Sequence, residues 1–138
     1  MSYTFKTNDG QAYSLKITFG DVLRIREQTG VSLFDLITSE QLLPKIYLGD
    51  PAYFIDMLWA IISPRHPTLD RAQFYDALGS EALEAARAAF IGACADFFLG
   101  QAMATAYLET IPEILTSARV EMAAILRQAS GSSAGTAG

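Results

Sequence analysis

Residues 50–62 read DPAYFIDMLWAII, and this stretch decides the fold. Asp50 offers a side-chain acceptor at the N-cap of a helix, and Pro51 follows at the first helical position, where the missing N–H of proline costs nothing. Ser63-Pro64 ends the segment. Apolar side chains occur almost all round the intervening helix, which is typical of a helix enclosed by other elements. The stretch therefore predicts a central buried helix around which the rest of the chain packs.

The N-terminal segment predicts a β-hairpin over residues 3–19. Asn8-Asp9-Gly10 supplies the residue types that tolerate the positive φ angles of a tight turn. The return strand, residues 12–19, alternates with a period of two, so one of its faces is expected to be buried. That face carries Tyr13, Leu15, Ile17 and Phe19. Because two strands alone are marginal in water, we expect the hairpin to lie on helices or to pair with another chain.

Short helices are predicted on both sides of the central helix. After the hairpin the apolar spacing becomes helical, and Gly30 is expected to end this first helix. Ser32 and Thr68 are predicted to cap two further short helices. A loosely helical piece over residues 40–48 is expected to be interrupted by Pro44.

The C-terminal part of the chain predicts two longer helices. Ser80 is expected to cap the first of them, whose apolar residues recur three or four positions apart. These residues are Leu83, Ala86, Phe90, Cys94 and Phe97. Gly100 is expected to interrupt this helix. The last helix is predicted either to start near Thr110, with Pro112 in its first turn, or to run on from Gln101.

Together these elements predict an α+β fold that is mostly α, with an N-terminal β-hairpin followed by five to six helices. A length of 138 residues fits one domain. We expect a single domain over residues 1–129, with the hairpin at 3–19 and a helical body at 20–129. The Ser/Gly/Ala-rich stretch at 130–138 has too little apolar surface to offset its conformational entropy, so it predicts a flexible tail.

Side chains that carry chemistry are scarce in this chain. It has one histidine, His66, and one cysteine, Cys94. A metal site needs three or four converging ligands, and a nucleophilic triad needs a base. His66 is interpreted as a polar turn residue and Cys94 as a small core residue. The sequence therefore predicts no catalytic, cofactor-binding or metal-binding residues, and hence no enzyme.

The carboxylates leave one competing hypothesis open. Pairs such as Asp50 with Asp56 are explained more simply as helix caps or solvated charges. Asp96 is different because it interrupts an apolar stripe. We expect Asp96 either to lie at a helix edge or to pair with an arginine such as Arg24 or Arg87. A small enzyme that uses Asp96 is the alternative from a different functional class.

Charge and hydropathy argue against two classes of partner. The net charge is −5 and the basic residues are scattered, so the chain lacks the cationic footprint that binds nucleic acid. Residues 88–108 hold one charge, Asp96, over a length that suits a membrane span. An aspartate at the bilayer centre costs about 2.5–3.5 kcal/mol on insertion, so two packed helices are favoured over a membrane protein. The lone Cys94 and the lack of an apolar N-terminal segment favour the reducing cytosol.

The surplus of apolar residues predicts a protein-binding function. Hydrophobic residues make up 51% of the chain, and exposed apolar surface usually marks a partner. The last helix is the best candidate, with Ile111, Leu115, Met122 and Ile125 as its predicted protein-binding residues. Most aromatic residues are assigned to the core, and one or two are expected to line a groove for a partner helix. This aromatic set comprises Phe54, Trp59, Phe74, Tyr75, Phe90, Phe97 and Phe98.

Several motifs occur in an order that is typical of a known family. They are ITFGD (17–21), REQTGV (26–31), LWAIISP (58–64), QFYDALGSEALEAA (73–86) and DFF (96–98). Over about residues 3–100 the chain resembles the small tail assembly chaperones of long-tailed bacteriophages. The helix after Gly100 and the Ser/Gly/Ala-rich tail depart from the family's pattern.

The resemblance implies a non-enzymatic protein of the host cell cytoplasm. Such proteins bind the long, apolar, helical tape-measure protein, keep it soluble and help tail-tube subunits to assemble around it. The implied partners are thus the tape-measure protein and the tail-tube protein, with self-association and without nucleic acid or membrane. The resemblance also implies absence from the mature virion, and a longer form made by ribosomal frameshifting is common in the family. The alternative of the same kind is a structural or adaptor protein of the tail that stays in the virion.

Overall fold

The computed structural model describes residues 3–39 and 41–137, with the side chains of residues 131–137 outside the description. The fold is mostly helical, with an N-terminal two-stranded antiparallel hairpin followed by six α-helices, as the sequence predicts. The elements are β1 (Tyr3–Lys6), β2 (Ala12–Leu15), α1 (Phe19–Thr29), α2 (Asp35–Thr38), α3 (Leu42–Leu48), α4 (Pro51–Ile62), a 3₁₀ turn (Ser63–Arg65), α5 (Arg71–Asp76) and α6 (Ser80–Ala137).

The hairpin pairs Tyr3 with Leu15 at one end and Lys6 with Ala12 at the other. It lies on α6, where the ring of Tyr3 approaches Gly92 so closely that a Cβ at this position would lie 2.5 Å from the ring. Glycine at this point of the helix therefore allows the strand to approach the helix backbone. The expectation that the hairpin lies on helices is confirmed.

The predicted return strand is too long at its C-terminal end. The strand ends at Leu15 because Thr18 starts α1 with a capping box. The hydroxyl of Thr18 accepts from the backbone N–H of Asp21 at 3.2 Å, and the carboxylate of Asp21 accepts from the backbone N–H of Thr18 at 2.9 Å. Phe19 thus opens a helix and is 75% exposed, so its assignment to the buried strand face is wrong.

Two of the predicted helix caps are wrong as well. No side chain caps α2, since the backbone carbonyl of Ser32, and not its hydroxyl, accepts from the N–H of Asp35. Asp70, and not Thr68, caps α5 by accepting from the N–H of Gln73 at 3.0 Å. A carboxylate placed two residues nearer to the helix satisfies the free N–H groups of its first turn.

The caps at Asp50 and Gly30 are confirmed. The carboxylate of Asp50 accepts from the N–H of Ala52 at 3.0 Å at the start of α4, and Gly30 ends α1 with φ 76°. Helix α3 begins at Leu42, so Pro44 lies in its first turn, where an intrahelical N–H bond is not needed. The predicted interruption of residues 40–48 at Pro44 therefore does not occur.

Helix α4 is the centre of the core, as its sequence predicts. Phe54, Met57, Leu58 and Ile61 are fully buried. The ring of Phe54 meets that of Phe90 on α6 edge to face, with the ring centroids 5.3 Å apart. The predicted apolar stripe of α6 is buried at its first four members, from Leu83 to Cys94. These contacts make α4 and the first part of α6 the centre of the packed core.

Gly100 divides α6 into two parts, as predicted. Its φ of 78° and ψ of 165° lie outside helical values. We call residues 80–99 the first part of α6 and residues 101–130 the arm. The arm is helical from Gln101 onward, so the start near Thr110 is ruled out and Pro112 lies inside the helix. The flexible tail predicted for 130–138 falls largely on residues whose side chains lie outside the description, and it stays a prediction.

In the part of the chain that the structure describes, none of the helices has the length and apolar character needed to cross a membrane. Over residues 88–108, Gly100 separates the first part of α6 from the arm.

Candidate protein-binding surfaces

We call the described residues before Gly100 the body. A charged cluster inside the body joins the hairpin to the helices. The buried carboxylate of Asp21 binds Arg65 at 2.8 Å and Arg24 at 2.9 Å. The guanidinium of Arg65 also donates to the carbonyls of Ile61 at 2.6 Å and Lys16 at 3.1 Å. One side chain thus ties the end of the hairpin to α1 and α4.

The electrostatics of this cluster favour ionised Asp21. Burial by itself raises the pKa of the Asp21 carboxyl, but the hydrogen bond from Arg65, the backbone hydrogen bond from Thr18 and the nearby charge of Arg65 together lower the pKa below its ordinary value. The cluster therefore stabilises the fold while the carboxylate is charged. The sequence pattern did not indicate this cluster, because Asp21 and Arg65 lie 44 positions apart in the chain.

The single cysteine and the single histidine lie in different surroundings, Cys94 in the core and His66 at the surface. Cys94 is fully buried, and burial raises the pKa of its thiol, as expected of a core residue. His66 packs edge-on against Tyr13, with 5.1 Å between ring centroids. Within the described part of the chain, no group of three His, Cys, Asp or Glu residues is placed to hold a metal ion.

Asp96 lies half-buried at the edge of α6, beside the hairpin. Burial, followed by the nearby charge of Asp96, raises the pKa of the Tyr3 hydroxyl. Arg24 pairs with Asp21, and among the described residues the ion pairs of the protein do not include Asp96. The expectation of an Asp96 pair with Arg24 or Arg87 is therefore wrong, whereas the position at a helix edge agrees with the other expectation.

The arm begins against the body and then leaves it. The hydroxyl of Tyr107 donates to the carbonyl of Leu36 at 2.8 Å. Ile111 and Leu115 are 9% and 6% exposed and belong to the core cluster. From Arg119 to residue 130 every residue is exposed. Two of the four predicted protein-binding residues thus anchor the arm to the body.

The other two predicted residues line an apolar groove between the arm and α3. Its volume is about 880 Å³. Met122 and Ile125 lie on the arm side, and Lys45, Glu113 and Glu121 add charge of both signs. The remaining lining residues are mostly apolar or small: Gln41, Pro44, Leu48, Gly49, Ile114, Ser117, Ala118 and Leu126. Of the four residues that helical spacing singled out, Met122 and Ile125 lie on the arm side of this groove, and α3 was not recognised as its other wall.

Four aromatic rings form a second exposed apolar surface, which we call the aromatic patch. Phe19 meets Phe97 at 4.9 Å, Phe97 meets Phe98 at 5.0 Å, and Phe98 meets Phe34 at 5.4 Å, all between ring centroids. Phe19 and Phe34 are 75% and 52% exposed. The sequence pattern assigns most of its aromatic set, which includes Phe97 and Phe98, to the core and leaves one or two rings for a partner groove. It does not indicate the patch, because the four rings come from three separate segments of the chain.

These surfaces suit the binding of apolar side chains of another protein. Exposed apolar area of this kind, flanked by charged groups, is typical of protein-interaction sites. In comparisons with protein-family models, with curated proteins and with solved structures, no match to this chain was found.

Proposed function

We propose that the protein is a tail assembly chaperone of a long-tailed bacteriophage, which binds the tape-measure protein and keeps it soluble while the tail forms. The motif resemblance over about residues 3–100 supports the choice of family. The observation that carries the mechanism is the apolar groove between α3 and the arm.

The lining of the groove suits the apolar face of an amphipathic helix. A helix of this kind places apolar residues from successive turns into a groove lined by apolar side chains. Met122, Ile125 and Leu126 supply this lining from the arm, and the charges of Lys45 and Glu121 lie beside it. A long apolar tape-measure helix offers many such turns, so several copies would shield it together. The net charge of −5 would help to keep the complex soluble.

The test uses co-expression with a tape-measure protein, the partner that the proposal implies. Wild-type protein should keep that partner in the soluble fraction, as measured by sedimentation and quantitative blotting. Ile125→Glu should abolish most of this effect, because a carboxylate in an apolar groove has to be desolvated without a partner. We expect at least about tenfold weaker binding, since the loss exceeds about 1.4 kcal/mol.

Val120→Glu is the matched control. Val120 and Ile125 are 60% and 65% exposed on the same arm, but only Ile125 lines the groove. Val120→Glu adds the same charge and should leave the partner soluble. If the partner stays insoluble with the wild-type chain, or if both variants act alike, the proposed groove mechanism is wrong.

The role in assembly needs a second measurement. A chaperone that releases its client, around which tail-tube subunits then assemble, should be absent from finished particles by mass spectrometry. A stoichiometric amount in the virion would favour the structural or adaptor protein instead. Loss of tail formation in Asp96→Asn, with the fold and partner binding intact, would favour the enzyme hypothesis.

A further inference from the structure

A single residue sets the direction of the arm. Gly100 has φ 78° and ψ 165°, a conformation that is almost confined to glycine, and helical residues lie on both sides of it. A Cβ placed at this position would meet nothing within 4 Å. No neighbouring group therefore packs against Gly100, and the bent form is accompanied by the contacts that the arm makes further along the chain.

Those contacts can be made by the arm of either of two identical chains. The arm docks through the Tyr107 hydroxyl on the carbonyl of Leu36 and through the buried side chains of Ile111 and Leu115. Tyr107, Ile111 and Leu115 all follow Gly100 in the sequence. The surface that receives the arm includes α3. A second copy presents the same arm and the same receiving surface.

We propose that two copies of this chain exchange their arms, with Gly100 as the hinge. In the exchanged form Gly100 is helical, α6 is continuous through the arm, and the arm extends about 45 Å beyond the hinge at 1.5 Å per residue. Each arm then docks on α3 of the other copy. Exchange of this kind keeps the contacts of the single chain, which makes it a low-cost route to a dimer.

The aromatic patch supports a second copy as the occupant. Phe97 and Phe98 lie three and two residues before Gly100, and each meets a further ring of the patch, Phe19 or Phe34. The patch is therefore exposed next to the hinge, where two continuous helices would pass one another. Exchange adds a new interface at this place and covers apolar rings that the single chain leaves in water.

Gly100→Ala tests the hinge. Alanine disfavours the positive φ of the bent form and favours a helix. We expect Gly100→Ala to form a dimer of twice the 15.0 kDa chain mass in size-exclusion chromatography with light scattering. Its dimer dissociation constant should be at least about tenfold lower than that of the wild type, because the substitution penalises the bent form at both hinges.

Gly30→Ala is the matched control for this substitution. Gly30 has φ 76° and, like Gly100, has room for a Cβ with nothing within 4 Å of it, but it ends α1 and does not carry the arm. Gly30→Ala should also lose local stability, because its φ is positive, and should show the dissociation constant of the wild type. Equal dimerisation of both variants would contradict the hinge, and so would a folded Gly100→Ala that stays monomeric at several hundred micromolar.

A cross-linking experiment separates exchange from any other dimer. Lys45→Cys and Ser117→Cys place two exposed thiols on opposite sides of the groove, and the native Cys94 is buried. In an exchanged dimer a flexible bis-maleimide joins the two chains, so the product runs as a covalent dimer on a denaturing gel. Dimers that give only intrachain product would overturn the proposal. The same two cysteine substitutions in a chain that keeps Gly100, cross-linked at rising protein concentration, test exchange even if Gly100→Ala fails to fold. Neither the dimerisation nor the cross-linking result depends on binding of the tape-measure protein.

Discussion

The body and the arm are both helical and both apolar, yet they bury their apolar residues to different extents. In the body, α4 and the first part of α6 are covered from several sides, so that Phe54 and Phe90 are fully buried. The arm carries apolar residues at the same helical spacing, but beyond Leu115 its large apolar side chains are partly or fully exposed. Apolar periodicity therefore specifies a helix and its apolar face, whereas burial depends on whether the chain supplies a second element opposite that face.

The largest expected effect is a loss of folding stability in the body. Phe90→Ala removes a fully buried ring that packs on Phe54. We expect a loss of about 3–5 kcal/mol in the free energy of unfolding, because a cavity is added to the lost burial. Ile125→Ala, in the arm, should change it by less than about 0.5 kcal/mol, as expected of an exposed position. Guanidinium unfolding followed by circular dichroism measures both variants.

A similar loss in both variants would show that the arm belongs to the cooperative core. The contrast between the two parts of the molecule would then be wrong. Because Ile125 lines the groove, the comparison of Phe90→Ala with Ile125→Ala also measures whether a groove residue contributes to folding stability.

The next effect concerns the charged cluster of the body. Asp21→Asn removes the charge that Arg65 and Arg24 share. We expect a loss of about 2 kcal/mol, since hydrogen bonds to charged groups contribute about 1.5–3 kcal/mol each and part of the geometry remains. Asp56→Asn, in the exposed Arg71–Asp56 pair, should cost less than about 1 kcal/mol. Urea unfolding at pH 7 compares them.

The pH dependence of Asp21 has a defined sign. Its pKa is lower in the folded protein than its ordinary value of 3.8. Its contribution to stability is therefore complete above pH 3.8 and is lost as the pH falls through the lower, folded pKa. The stability difference between the wild type and Asp21→Asn should shrink in that acidic range. A difference that stays constant with pH would contradict the ionised role of Asp21.

Much of the fold was predictable because its signals are local. Asp50-Pro51 fixes the start of α4, Gly30 ends α1, and Gly100 interrupts α6, each through its own side chain or backbone preference. The hairpin also follows from alternation and turn chemistry. Its C-terminal bound was wrong because alternation continues through Phe19 while the capping box of Thr18 begins the helix.

Of the two walls of the groove, only the arm side could be predicted from the sequence. Helical spacing placed Met122 and Ile125 on one face, but it did not distinguish them from Ile111 and Leu115, which the body covers. The other wall of the groove, on α3, lies far earlier in the chain, so no local pattern links the two. The same applies to Asp21 and Arg65, which are 44 positions apart.

The smallest expected effect concerns the hydrogen bond that joins the arm to the body. Tyr107→Phe removes the hydroxyl that donates to Leu36 and leaves a carbonyl without its partner. We expect a loss of about 1 kcal/mol at neutral pH. Urea unfolding of the wild type and of Tyr107→Phe between pH 7 and pH 12 measures the difference in their free energies of unfolding. Because both proteins carry the other tyrosines, this difference reports on Tyr107 alone.

Burial, followed by the nearby Cys94 and Tyr47, raises the pKa of Tyr107 to about 12 from an ordinary value of 10.0. A raised tyrosine pKa means that the folded state favours the neutral hydroxyl, so its contribution is complete below pH 10 and is lost as the pH rises towards 12. The stability difference between wild type and Tyr107→Phe should therefore shrink across this range. If it is already absent at pH 8, the hydroxyl does not hold the arm, and the boundary between body and arm must depend on Ile111 and Leu115 alone.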